Sequence, residues 1–123
     1  MNVVDILLRM DIPQPQTKQY KHKRLSQLAG EDVIFTIQEI PYSRVAEIRR
    51  MHGDSEDLDL HIVLAGLKDP DPKNRDLNAK YGAATPAELI KKLLLPGEIT
   101  DLSRQIEKLS GYRVQTLEEI KKN

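Results

Sequence analysis

The stretch TPAELIKKLLLPGEITDLSRQIEKLSG, running from Thr85 to Gly111, decides the fold. Thr85 is placed as an N-cap, Pro86 suits the first helical position, and Glu88 stands where a capping box puts its acid. Leu89, Ile90, Leu93 and Leu94 then fall within about 140° of the helix circumference at about 100° per residue, a core-facing stripe. Pro96 disfavours α geometry at Leu95, so the first helix is predicted to end or bend there, hinged at Pro96-Gly97. Beyond the hinge, Ile99, Leu102, Ile106 and Leu109 step by three, four and three residues, the narrower seam of a helix packed on one or two partners. Gly111 is predicted to close that helix. Two hinged amphipathic helices are the result.

The bulk composition frames this pair. At 123 residues the chain reads as one domain, able to bury roughly two thirds of its unfolded surface. Nineteen basic residues balance nineteen acidic ones, so no net field draws it to nucleic acid or anionic lipid. Cysteine is absent, which removes disulfides, thiol nucleophiles and thiolate metal ligands. With one phenylalanine, four tyrosines and no tryptophan, the core has to be aliphatic. The apolar run Val3–Met10 carries Asp5 and Arg9 and lacks a basic leader, so it reads as neither signal peptide nor membrane span.

In chain order, Asn2 to Met10 predicts a short helix, apolar nearly all round and therefore expected to dock. Pro13 to Gln16 is an extended connector. Thr17–Leu28 and Asp32–Ile40 read as two strands around Ala29-Gly30-Glu31. In the second, Val33, Phe35 and Ile37 alternate with Ile34, Thr36 and Gln38. The first is basic (Lys18, Lys21, Lys23, Arg24) and belongs at an edge. A helix from Pro41 to about His52 is expected to turn Tyr42, Val45 and Ile48 inward. Ser55 is expected to cap a helix from Glu56 to about Lys68, apolar on two sides and hence covered on two sides, between the hairpin and the C-terminal helices. Asp69 to Pro72 is a turn in which Asp71 caps a short helix through Leu77 and Tyr81, ending at Gly82. Leu117 and Ile120 hint at one more amphipathic turn in a fraying tail.

These elements predict an α+β fold, a β-hairpin or small antiparallel sheet packed against five or six mostly C-terminal helices. The expected divisions are an N-terminal helix (1–12), the hairpin (17–40), a helical part (41–111) and a tail (112–123), all within a single domain.

The residues argue against catalysis. His22, His52 and His61 fall on three different elements with no spacing that links them to a carboxylate, so no metal is expected. The serines lack a nucleophile-elbow context, and the glycines form no phosphate loop. Asp69 and Asp71 read as turn residues. Nucleic-acid binding would draw on Arg44, Arg49, Arg50 and the Lys18–Arg24 run; zero net charge and few aromatics weigh against it.

Taken together, KRLSQLAGEDVIFTIQEI (Lys23–Ile40), LHIVLAGLKDPD (Leu60–Asp71), LNAKYGAATPAELIKKLLLPGEI (Leu77–Ile99) and IEKLSGY (Ile106–Tyr112) resemble the XkdN-like tail assembly chaperones of long-tailed phages and of defective prophages in Gram-positive bacteria. The most specific parts are the Tyr81-Gly82 turn, the Thr85-Pro86 cap and the Leu93–Glu98 hinge at fixed spacing. The resemblance implies a non-enzymatic, cofactor-free protein of the host cytoplasm, absent from the mature virion. Its implied partners are the tape measure protein and the tail tube protein, with self-association left open and no membrane contact. A chaperone for a long amphipathic helix needs an apolar face. Leu94, Leu95, Ile99, Leu102 and Ile106 are the candidates to line a groove at the hinge, the alternative being that all five are ordinary core. A small nucleic-acid-binding or regulatory phage protein and a structural virion component are the rival readings of function.

Overall fold

The computed structural model describes residues 2–121; residue 1 and residues 122–123, the extremities of the N-terminal and tail segments defined above, lie outside that description. Within it the elements run α1 (Val3–Arg9), β1 (Thr17–Lys21), α2 (Lys23–Ala29), β2 (Ile34–Gln38), α3 (Tyr42–His52), α4 (Leu58–Gly66), β3 (Leu67–Asp69), α5 (Arg75–Lys80), α6 (Pro86–Leu93) and α7 (Pro96–Leu109). A small antiparallel sheet and mostly C-terminal helices make this the expected α+β fold.

The α6–α7 pair forms as the sequence dictates. Thr85 Oγ1 accepts the Glu88 N–H at 3.2 Å, and the Glu88 carboxylate reaches back to the Ala84 N–H at 2.8 Å, one residue earlier than a standard capping box. The bend itself lies at Leu94 and Leu95, both extended, just ahead of the expected Pro96-Gly97. Pro96 costs nothing at the first position of α7, where its missing N–H would go unpaired, and it forces the residue before it out of α geometry. Gly111, at φ +96°, follows the last turn of α7 as predicted.

The hairpin is shorter than expected and has a helix inserted. β1 and β2 pair antiparallel with Tyr20 opposite Phe35, and β2 is central in the order β1-β2-β3, which leaves basic β1 at an edge. After Lys21, however, the chain turns helical. His22 Nδ1 accepts the Leu25 N–H at 3.1 Å as an N-cap, and Gly30, at φ +75°, ends α2. Lys23–Ala29 contains no β-branched residue and is built of good helix formers, so propensity overrides an edge-strand reading based on charge.

The helix expected from Glu56 to Lys68 starts at Leu58 and stops at Gly66, where the chain passes directly into β3. Ser55 does not cap it; its hydroxyl accepts the Asp57 N–H within the preceding turn. None of its residues is exposed, in line with its two apolar stripes. Its covering differs from expectation: α4 packs chiefly on α7, α3 and α6, and the sheet packs on α7 beside it. Leu58 and Ile62 face Val45 and Ile48 of α3. Leu60 and Val63 join Phe35, Ile37, Ile90, Leu94, Leu102 and Ile106 in the core. Ser103, fully buried on α7, donates to Asp59 Oδ1 of α4 at 2.8 Å, and Arg104 donates to the same oxygen at 2.9 Å.

Four local expectations are corrected. Tyr42 is 90% exposed, because it opens α3 beyond the edge of the core while Val45 and Ile48 turn inward. Asn74, not Asp71, caps α5 by accepting the Leu77 N–H; Asp71 instead accepts the Lys73 N–H in an Asx turn. Leu117 and Ile120 form no helical turn and are exposed. Finally, α1 forms, capped by Asn2 Oδ1 on the Asp5 N–H, but it buries no residue.

The closest packing lies between α4 and α7. A Cβ placed on Gly66 would stand 2.5 Å from Cγ2 of Ile106, itself fully buried and unable to yield. Gly66→Val is expected to lower stability by about 2 kcal/mol through overpacking, read from urea denaturation.

Candidate partner-binding surface

The five residues at the bend divide between core and surface. Leu94, Leu102 and Ile106 are buried, Ile99 is half-buried, and Leu95 is 51% exposed. They do not line one groove, because the α7 seam at Leu102 and Ile106 is already occupied by α4 and by Phe35 and Ile37 of the sheet. What remains on the surface is Leu95, with Ile99 one turn on. Leu28, also exposed, lies one turn beyond Arg24 on the same face of α2.

Between these apolar residues sits a charged latch that holds the bend. Arg24 donates from Nε and Nη2 to the two carboxylate oxygens of Glu98, at 2.9 and 2.8 Å, and from Nη2 to the Leu93 carbonyl at 3.0 Å. Glu98 also accepts the Leu95 N–H at 2.7 Å, closing the first turn of α7. A forked guanidinium reading a carboxylate and a helix-terminal carbonyl fixes angle as well as distance. His22, nearly buried and tilted against Phe35, points Nε2 at Glu98 Oε2 from 3.3 Å, off the axis of a good hydrogen bond. Arg24 is the main cause that holds the Glu98 carboxyl down at about 2, helped by the Leu95 N–H and by His22 against the opposing effect of burial.

Two clefts flank the body. One, of about 460 Å³, has Tyr20, Phe35, Leu102 and Gln105 at its floor, with Lys21, Lys23 and Arg24 on one rim and Glu98 and Asp101 on the other. The Tyr20 hydroxyl donates to Gln105 Oε1 at 3.0 Å, tying β1 to α7. The other, of about 400 Å³, lies between α3, α4 and the end of α7, where Arg49 stands over the Tyr112 ring at 4.8 Å. Beside it Glu107 accepts from both Arg104 and Arg113 at 2.7 Å.

The histidines, read from sequence as unconnected, are not all apart. His52 and His61 stack with centroids 3.5 Å apart and rings within 7° of parallel. Burial is the first cause that lowers the His61 pKa; His52, Arg44 and Lys91 push the same way and Asp57 opposes them. Among the described residues no group of three or more His, Cys, Asp or Glu side chains stands together as a metal would require. Of the seven cations considered for nucleic acid, three are ion-paired, Arg24 with Glu98, Lys21 with Asp32 and Arg44 with Glu47. No described helix is long and apolar enough to cross a membrane.

The N-terminal segment, expected from its apolar wheel to dock, is left uncovered by the body. Val3, Val4, Leu7, Leu8, Met10 and Ile12 are all more than half exposed, Leu8 at 77%. The signal was present in an apolar wheel; that the body leaves it uncovered was not.

This is a small α+β chain with exposed apolar residues at the bend and on its N-terminal helix. It belongs to the phage XkdN-like tail assembly chaperone family, whose sequence model matches residues 4–122. Membership implies a non-enzymatic role and interaction with phage tail proteins. Among solved structures, the crystal structure of the protein YqbN is similar with a TM-score of 0.71 at 17% identity, over 91% of this chain and 98% of that one. At that identity the likeness is one of fold alone. No functionally curated protein matches the chain.

Two pH effects follow from the site. Because the folded Glu98 pKa lies at about 2, below the ordinary carboxylate value of 4.5, the latch contributes stability above pH 4.5 that is lost as pH falls towards 2. Glu98→Gln is therefore expected to lower the urea midpoint at pH 6, with the gap to wild type closing across that window. His61 is lowered, so the unfolded chain takes up its proton more readily than the folded one. Stability is whole above the ordinary imidazole value and falls as pH drops through it. Urea midpoints at pH 7.5 and 5.5 are expected to differ in wild type and to converge in His61→Phe.

Proposed function

We propose that this chain is a tail assembly chaperone that binds the tape measure protein in the host cytoplasm, keeps its long helices from aggregating, and helps tube subunits polymerise around them before leaving the tail. Family membership across residues 4–122 carries this reading. The surface at the bend supports it: exposed Leu95 and half-buried Ile99 lie beside the Arg24–Glu98 latch, apolar side chains next to a charged pair that suit an amphipathic helix. Such a surface is small, so each site binds moderately and many copies along one client supply the avidity, which leaves every copy releasable. No bond is made or broken, and no cofactor enters.

The test is co-expression with tape measure fragments followed by affinity capture. Leu95→Asp, at a half-exposed position, is expected to leave the fold intact and to cut capture about tenfold, equivalent to about 1.4 kcal/mol of binding. Leu102→Asp would confuse unfolding with lost contact and is not informative. A folded Leu95→Asp, Ile99→Asp variant that captures fragments as wild type does would remove the bend from the interface. Presence of the chain in purified tails would remove the chaperone reading.

A further inference from the structure

We infer that α3 is a proton-gated flap: the stacked rings of His52 and His61 hold its last turn on α4, and a proton on His61 lets that end swing away and bare the cleft beneath. α3 is lightly held. It packs chiefly on α4, and Ile48 is its single buried residue. Its ion pair, Arg44 with Glu47, is internal, and among the described residues no side-chain hydrogen bond joins it to another element. The Arg49 guanidinium over the Tyr112 ring is an exposed contact, weak in water. Val45 and Ile48 of α3 and Leu58 and Ile62 of α4 line the cleft of about 400 Å³, so the apolar contact below α3 is incomplete. The chain entering α3 is fixed, since the Ile40 N–H donates to the Ser110 hydroxyl at 3.0 Å. The turn leaving it, Gly53–Asp57, is wholly exposed and supplies the slack. Movement therefore belongs to the His52 end.

The surroundings of the stack reject a cation. With centroids 3.5 Å apart and planes within 7°, the two rings present their faces to each other, so each loses hydration on one side. Around His61 stand Arg44 from α3 and Lys91 from α6, both positive, and Asp57, just before α4, opposes them. Asp59 lies about 200° around α4 from His61, faces α7 and is taken by Ser103 and Arg104. Burial and the neighbouring cations hold the His61 pKa below its ordinary 6.5, so a proton refused by the closed flap is accepted by the open one. The sign follows from that difference. Above pH 6.5 the two states hold the same protons; below it, opening takes one up and grows more favourable as pH falls, by at most about tenfold per pH unit. Opening bares Val45, Ile48, Leu58 and Ile62, an aliphatic surface at the far end of α7 from the bend.

The experiment uses the purified full chain alone, so its outcome is independent of any client. Amide hydrogen exchange, followed residue by residue at pH 7.5 and 5.5 in low urea and expressed as protection factors, reads the flap directly. Amides from Ile48 to His52 are expected to open with a smaller urea dependence than those of α7, and their protection to fall by up to about tenfold between the two pH values. His61→Phe is expected to keep the local opening and lose its pH dependence. Lys91→Glu, at an exposed position, is expected to shrink that dependence with the fold intact, because a carboxylate there favours the charged ring. α3 amides that exchange only with global unfolding overturn the inference, as does a local opening equally protected at both pH values. A fall that persists in His61→Phe overturns it too, since another group would then take up the proton. Should His61→Phe not fold, a fall undiminished by Lys91→Glu overturns the inference by itself.

Discussion

The contact between α4 and α7 carries the rest of the molecule. Gly66 lets Ile106 sit closer than any side chain would allow, and Ser103 and Arg104 of α7 converge on Asp59 of α4. With these two helices in register, α6 is placed by its short link to α7, α3 by the far stripe of α4, and the sheet by the α7 face opposite. β3 starts at the residue after Gly66, so the helix contact also fixes where the third strand meets β2. A shift of α7 along α4 would part the fully buried Ser103 hydroxyl from its Asp59 acceptor, a costly state, so the register is held by polarity as well as by shape.

The parts of this architecture legible in the sequence are those that local chemistry settles. Thr85, Pro86 and Pro96 specify caps and a break through their own backbone preferences, and the α6–α7 pair appears within a residue or two of its expected limits. The alternation around Phe35 and Ile37 likewise gives β2. The failures come where one signal masks another. Lysines in Thr17–Leu28 announce an edge, but the absence of β-branched residues after Lys21 decides for a helix. Gly66, the last residue of α4, leaves room for Ile106, forty residues away in sequence, a requirement that no local pattern reveals. The candidate site suffered in the same way: Leu102 and Ile106 share their helical spacing with Ile99, and only the positions of α4 and the sheet separate core from surface.

The surface that remains is divided by chemistry. The bend carries a small apolar strip around a fixed ion pair, and the Arg24–Glu98 geometry makes it rigid. The N-terminal helix carries more apolar area on a tether. Both regions are apolar, but the bend is held by its ion pair and α1 packs on nothing in its own body.

The hydrogen bond from the Ile40 N–H to the Ser110 hydroxyl spans 70 residues of sequence, and the core around Phe35 and Ile37 waits equally long for Leu102 and Ile106. On the ribosome, the greasy N-terminal helix and the first two strands emerge well before the helices that complete the core. Phe35 and Ile37 therefore stay uncovered until α7 has been made, and the first strands complete their core only then. Over that interval the prolines and lysines around β1 hinder strand-to-strand association of the exposed segment.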